Sequence, residues 1–79
     1  MMLQVYGTGC AKCNMLEKTA KDAVKEIGVN TEVVKISDIS KIVEAGVLAM
    51  PGFAVDGEMK SMGRVPTVEE IKRWVKAKM

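Results

Sequence analysis

A long helical pattern between two short β-forming runs is the feature that most restricts how this chain can fold. Residues 2–6 and 31–36 are rich in apolar and β-branched side chains, and each run is predicted to form a strand. From about Cys10 onward the apolar residues recur at helical spacing. They are Leu16, Ala20, Ala23, Val24 and Ile27. Because a helical connection brings two strands of one sheet into parallel alignment, we predict a β–α–β unit whose helix ends at Gly28.

The second half of the chain predicts a short helix and then a hairpin. Ser37 or Asp38 can cap the short helix. The apolar residues of that helix are Ile39, Ile42 and Val43. Asp56-Gly57 is a strong signal for a two-residue turn, so residues 53–55 and 58–62 should pair as antiparallel strands.

A capping box predicts the last helix. Thr67 is its cap and Glu70 reaches back to it. The helix should bury a set of apolar residues near the end of the chain. They are Val68, Ile71, Trp74 or Val75, and part of Met79. The predicted fold is therefore α/β with the order βαβαββα, a four-stranded mixed sheet covered by helices in one domain, 1–79.

The only two cysteines of the chain, Cys10 and Cys13, stand where the first strand gives way to the first helix. A Cys-x-x-Cys at such a junction can be oxidised and reduced reversibly, or it can hold a soft metal. A structural zinc site requires two more ligands, and the chain has no histidine and no further cysteine. The residues alone leave redox chemistry and copper binding as the two alternatives.

Composition narrows the class of protein. The chain is 48% hydrophobic and 28% charged, which favours a packed core with a charged surface. A net charge of +2 is too small to indicate a nucleic-acid partner. No apolar run approaches the roughly 18 residues of a membrane helix, and the first residues do not form a basic segment followed by an apolar one, so no secretory signal is predicted. We therefore expect a cytoplasmic monomer without a membrane partner, in which a permanent disulfide is disfavoured.

The element order, with Cys-x-x-Cys between the first strand and helix, resembles the short form of the thioredoxin fold. The resemblance covers essentially the whole chain, and it extends to glutaredoxins and to small archaeal and bacterial thioredoxin-like (redox-active disulfide) proteins. Met50-Pro51 stands before the third strand, where this fold carries a cis-proline. Met62-Gly63-Arg64 stands where glutaredoxins carry a glycine-rich turn, and Gly-Thr-Gly-Cys-Ala-Lys-Cys is most similar to the small thioredoxin-like group.

The resemblance implies a small thiol–disulfide oxidoreductase, or dithiol electron carrier, that needs no cofactor and no metal. Cys10 would be the nucleophile and Cys13 the resolving thiol. Residues with a docking or supporting role would be Met50, Pro51, Lys12 and Gly63. The implied partners are disulfide-containing client proteins or small disulfides, with a flavin-dependent reductase or glutathione as the electron donor.

Two alternatives accompany this interpretation. Copper chaperones of the heavy-metal-associated class also place Cys-x-x-Cys between a first strand and helix, but their order is βαββαβ. They usually carry methionine two residues before the first cysteine, where this chain has Thr8. Residues 37–45 also predict a helix where those proteins need a hairpin strand. A non-catalytic thioredoxin-like adaptor is the other alternative.

Overall fold

The structure is a computed structural model that describes residues 1–9, 11–28 and 30–78. Its strands and helices follow the predicted order βαβαββα. They are β1 (Met2–Tyr6), α1 (Ala11–Ile27), β2 (Glu32–Ile36), α2 (Ile39–Glu44), β3 (Gly52–Val55), β4 (Glu58–Met62) and α3 (Val68–Lys78). The four strands form one mixed sheet in the order β2-β1-β3-β4. The predicted α/β class and four-stranded sheet are confirmed.

β1 is an inner strand, and its two neighbours run in opposite directions. It pairs in parallel with β2, so the crossover predicted from the helical pattern is present. It pairs antiparallel with β3, and Tyr6 at the end of β1 lies opposite Gly52 at the start of β3. The segment that follows β1 and the segment that precedes β3 therefore meet at the same edge of the sheet.

The hairpin between β3 and β4 is built as its turn dipeptide predicts. Asp56 and Gly57 both have positive φ, of 50° and 84°, as a type I′ turn requires. The turn is also tied to β1, because the backbone N–H of Met2 donates to Asp56 Oδ1 at 2.7 Å and that of Gly57 donates to Gln4 Oε1 at 2.7 Å. The backbone of Met2 and the side chain of Gln4 thus fix the turn end of the hairpin to the first strand.

Helices cover both faces of the sheet. Because successive strand side chains point to opposite faces, β1 and β3 each contribute to two apolar clusters. The larger cluster, on the side of α1 and α3, contains Leu3, Val5, Leu16, Ala20, Ala23, Phe53, Val55, Ile71 and Val75. The smaller cluster, on the side of α2, contains Tyr6, Ile42, Val47 and Ala54. Trp74 is half-buried and stacks on Phe53, with the ring centroids 5.8 Å apart.

The short helix α2 buries only one of the three apolar residues that form its predicted pattern. Asp38 is its cap, since its Oδ1 accepts a hydrogen bond from the N–H of Ser40 at 2.9 Å. Ile42 is buried, whereas Ile39 and Val43 are 66% and 67% exposed. A helix of six residues presents only one side to the sheet, so its other apolar residues face outward. Part of Met79 is also expected to be buried, but Met79 lies outside the residues that the structure describes.

The capping box of α3 is present and carries an added cation. Thr67 Oγ1 accepts from the N–H of Glu70 at 3.1 Å, and Glu70 Oε1 accepts from the N–H of Thr67 at 3.1 Å. Arg64 also donates to both carboxylate oxygens of Glu70, at 2.9 and 2.8 Å. The hydrogen bonds from Arg64, followed by the one from the Thr67 backbone, lower the pKa of Glu70 from 4.5 to about 2.

Replacing this carboxylate should alter how stability responds to acid. A carboxyl whose pKa is lowered on folding stabilises the fold above its unfolded pKa, and this stabilisation is lost as the pH falls through the folded pKa. Glu70→Gln should therefore lower the thermal midpoint near neutral pH, and the difference from the native protein should shrink between pH 4.5 and about 2. Thermal melts across this range check it, with Glu69→Gln in the same helical turn as the matched control. A difference that stays constant across the range would contradict the assignment.

Candidate active site

Three segments far apart in the sequence meet at the end of the sheet where β1 stops. Gly7 continues directly from β1, and its N–H donates to the carbonyl of Ile36 at the end of β2 at 3.0 Å. Gly52 lies opposite Tyr6 on one side and opposite Met62 on the other. The loop before α1, the loop before β3 and the turn after β4 therefore share one edge.

Cys13 lies at this edge and is completely buried. It belongs to the first turn of α1, on the side of the helix that also buries Leu16 and Ala20. Its side chain packs directly on the backbone of Gly7. A Cβ built on Gly7 would overlap the Cys13 sulfur and lie 2.8 Å from the Cys13 Cβ. Cys10 lies outside the described residues, so the predicted pairing of Cys10 with Cys13 stays a prediction.

The loop before β3 is held by the turn after β4. The Met50–Pro51 peptide bond is cis, as the resemblance predicts. The N–H of Gly63 donates to two carbonyls of this loop, that of Ala49 at 3.0 Å and that of Pro51 at 2.9 Å. Gly63 has a φ of +77°, and a Cβ there would lie 3.2 Å from the Ala49 Cβ. These contacts connect the turn after β4 to the loop before β3.

Apolar side chains around this loop are exposed. Pro51 is fully buried, but Leu48 is 92% exposed, Met50 45% and Met62 42%. Leu48, Met50 and Met62 are called here the apolar rim. Lys12, between the two cysteines in sequence, is exposed in the first turn of α1. The edge therefore combines a buried cysteine side chain with an exposed apolar surface, which suits contact with a partner more than enclosure of a small molecule.

Two side-chain hydrogen bonds connect the loop before α1 to β2 through Asn14. Asn14 Nδ2 donates to the carbonyl of Gly9 at 3.4 Å, and Lys35 Nζ on β2 donates to Asn14 Oδ1 at 3.0 Å. Lys35 also lies 3.9 Å from Glu17, which forms a second ion pair with Lys21. Sequence reasoning missed Asn14 and Lys35. Their separation of 21 positions offers no local signal that they meet.

The role of Gly7 was also missed. Gly7 and Gly9 both lie between β1 and α1, where glycine suits a tight loop, and Gly9 has the positive φ of such a loop, +93°. Gly7 does not have such a φ, so its backbone conformation is open to other residues. The glycine is required by the close approach of Cys13 instead. This contact depends on tertiary packing that a local pattern does not contain.

The described part of the chain offers neither a metal-ligand cluster nor a membrane-spanning helix. Within 1–9, 11–28 and 30–78, no three or more histidine, cysteine, aspartate or glutamate residues cluster as metal ligands. In the same ranges, no helix is both long enough and apolar enough to cross a membrane.

Comparisons with known proteins agree on one family. The family model described as "Thioredoxin domain" matches residues 1–76. A protein named thioredoxin from Methanothermobacter thermautotrophicus is 59% identical over 73 residues, which cover 92% of this chain and 95% of that protein. Another from Methanocaldococcus jannaschii is 40% identical over 77 residues, which cover 98% of this chain and 88% of that protein.

A solved structure shows the same fold at low sequence identity. Thioredoxin-2, described as a component of the malaria parasite protein secretion machinery, superposes with a TM-score of 0.74 and 13% identity. The match covers 96% of this chain and 81% of that one. Because the identity is so low, this likeness supports the fold alone.

Proposed function

The chain belongs to the thioredoxin family, and from this premise we propose that it is a two-cysteine thiol–disulfide oxidoreductase in which Cys10 attacks and Cys13 resolves. Thiol–disulfide exchange is the chemistry that the family implies. The assignment of the two steps to these cysteines is our proposal. The single observation that carries it is the burial of Cys13 against Gly7 at the edge where the apolar rim is exposed.

Cys10 is the proposed nucleophile because of its position along the chain. It immediately precedes α1, which begins at Ala11 and has no acidic residue in its first turn. The free N–H groups and the positive end of a helix favour a thiolate over a thiol. Lys12 adds positive charge in the same turn, although its exposure limits the effect.

The first step forms a mixed disulfide. The Cys10 thiolate attacks one sulfur of a client disulfide, so that a bond forms between Cys10 and that sulfur while the client S–S bond breaks. The second client sulfur leaves as a thiolate and takes up a proton. Cys13 then resolves the mixed disulfide by attacking the Cys10 sulfur, which releases the reduced client and leaves a Cys10–Cys13 disulfide. An electron donor, a flavin-dependent reductase or glutathione, would return the pair to the dithiol.

The loop before β3 is the proposed docking site for disulfide-containing client proteins. Met50 and the rest of the apolar rim offer exposed apolar area at the edge of the sheet where Cys13 lies. Pro51 shapes the loop, and Gly63 holds it through its two hydrogen bonds. Small disulfides need none of this surface, so a protein client and a small disulfide should respond differently to changes in the rim.

Met50→Asn should weaken the reaction with protein clients only. Fully burying a methionine side chain is worth about 1.5–3 kcal/mol. Because Met50 is already about half covered, docking should gain near the lower end, or about tenfold in kcat/KM. We therefore expect about a tenfold lower kcat/KM with a protein disulfide and little change with oxidised glutathione. Met50→Leu, which keeps the apolar area, is the matched control, and equal losses with both substrates would contradict docking at this residue.

Catalytic turnover tests the function as a whole. With dithiothreitol as the reductant, the chain should accelerate reduction of a protein disulfide such as insulin in proportion to its concentration.

Copper binding by the same cysteines is the competing function. The confirmed helix α2, where copper chaperones need a strand, argues against that class. A tight one-to-one Cu(I) complex without disulfide-reductase activity would favour it over our proposal.

A further inference from the structure

We infer that Gly7 is a positioning residue for the resolving step. Because glycine has no side chain, it leaves the space that the Cys13 sulfur occupies, and this space is called the seat of the sulfur. This inference rests on the proposed function. The added Cβ described above would occupy the space that the sulfur and Cβ of Cys13 already fill. Glycine is therefore needed here for space and not for backbone conformation. The size of residue 7 then determines the position of the Cys13 sulfur before it attacks.

Neither side of the contact can move away easily. On the side of Gly7, the N–H is bonded to the Ile36 carbonyl, which fixes the residue to the end of β2. On the side of Cys13, α1 is anchored because Leu16 and Ala20 are both completely buried. Lifting the first turn of α1 would expose these residues, so a larger residue 7 should displace chiefly the Cys13 sulfur. The 2.8 Å approach of the two Cβ atoms adds only a small backbone shift, because the Cys13 Cβ moves with its backbone.

The displacement matters for only one of the two steps. In the resolving step, a bond forms between the Cys13 and Cys10 sulfurs while the bond between Cys10 and the client sulfur breaks. The Cys13 thiol loses its proton, and the departing client thiolate gains one. A misplacement of about 1 Å in a reacting group can slow a reaction by about 10²-fold. The first attack by Cys10 does not involve the Cys13 sulfur and should be unaffected.

Gly7→Ala should therefore separate the two rates. The reduced protein is mixed with oxidised glutathione, quenched with acid at successive times and analysed by intact mass. We expect the adduct with glutathione to form at a rate within about twofold of the native rate and to resolve at least about tenfold more slowly. Equal slowing of both steps, or unchanged resolution, would overturn the inference.

A double-mutant cycle tests the seat without any redox reaction. Gly7→Ala should increase the equilibrium constant for unfolding at least about fivefold more in the native background than in the Cys13→Ala background, where the sulfur is absent. Gly57→Ala is the matched control. A Cβ there meets nothing within 4 Å and its φ is +84°, so its cost should be the same in both backgrounds.

The double-mutant cycle still gives a result if Gly7→Ala does not fold. If Gly7→Ala is unfolded, the double variant with Cys13→Ala should recover folding, and failure of both variants would overturn the seat. Equal costs of Gly7→Ala in the two backgrounds would overturn it as well. A native protein that forms no mixed disulfide would instead refute the proposed function, while the cycle would still decide the role of Gly7.

Discussion

Cys10→Ser should reduce the rate of mixed-disulfide formation by a factor of about 10³ or more, as removal of a catalytic nucleophile does in other enzymes. A thiol with an ordinary pKa of about 8.5 is partly ionised near neutral pH, whereas a serine hydroxyl is not. The other cysteine cannot take over the attack, because Cys13 is completely buried. The measurement is the appearance of the adduct with oxidised glutathione, followed by intact mass after acid quenching.

Two controls for Cys10→Ser exclude misfolding and a general effect of changing the loop. Thermal melts of Cys10→Ser and the native protein establish that the variant is folded before rates are compared. Thr8→Ser, an exposed change in the same loop, should form the adduct at the native rate. Adduct formation by Cys10→Ser at more than about a tenth of the native rate would assign the nucleophile to Cys13.

Cys13→Ser should accumulate the mixed disulfide that the native protein resolves. The first attack needs only Cys10, so the adduct should form at close to the native rate. Its breakdown then depends on external thiols, and its lifetime should lengthen by about 10²-fold or more, because an intramolecular thiol acts at a far higher effective concentration. Non-reducing electrophoresis after incubation with a protein disulfide should show a stable complex that dithiothreitol removes.

The double variant provides the control for trapping. Cys10→Ser/Cys13→Ser should form no complex, which excludes non-covalent association as the source of the band. Cys13→Ser that turns over a protein disulfide as fast as the native protein would refute the two-cysteine mechanism, since a single-thiol pathway would then suffice. The same trapped complex in cell lysate identifies clients by the proteins it retains.

Most of the fold could be predicted because its signals are local. The helical period of α1, the Asp56-Gly57 turn and the Thr67–Glu70 capping box each specify an element from a few neighbouring residues. The exposure of Ile39 and Val43 could not be predicted in this way. It depends on how a six-residue helix lies on the sheet, which is a matter of tertiary packing.

In the candidate site as well, the features with a local signal could be predicted and the tertiary contacts could not. The position of the cysteines at a strand–helix junction and the proline before β3 could be located in the sequence. The contact between Gly7 and Cys13, the link from Lys35 to Asn14, and the bonds from Gly63 could not. Each depends on how a loop or helix packs on the rest of the fold, which no local pattern contains, and Gly7 has the same appearance in sequence as a glycine that serves a turn.

A redox titration of the native protein tests the central claim most directly. The protein is equilibrated with dithiothreitol and glutathione buffers that together cover about −350 to −100 mV, a range that spans known thioredoxin-like pairs, and its thiols are then alkylated and counted by intact mass. We expect Cys10 and Cys13 to gain and lose alkylation together in one reversible transition with a two-electron slope of about 30 mV per decade. Two thiols that titrate independently, or that stay fully alkylated across the range, would contradict it.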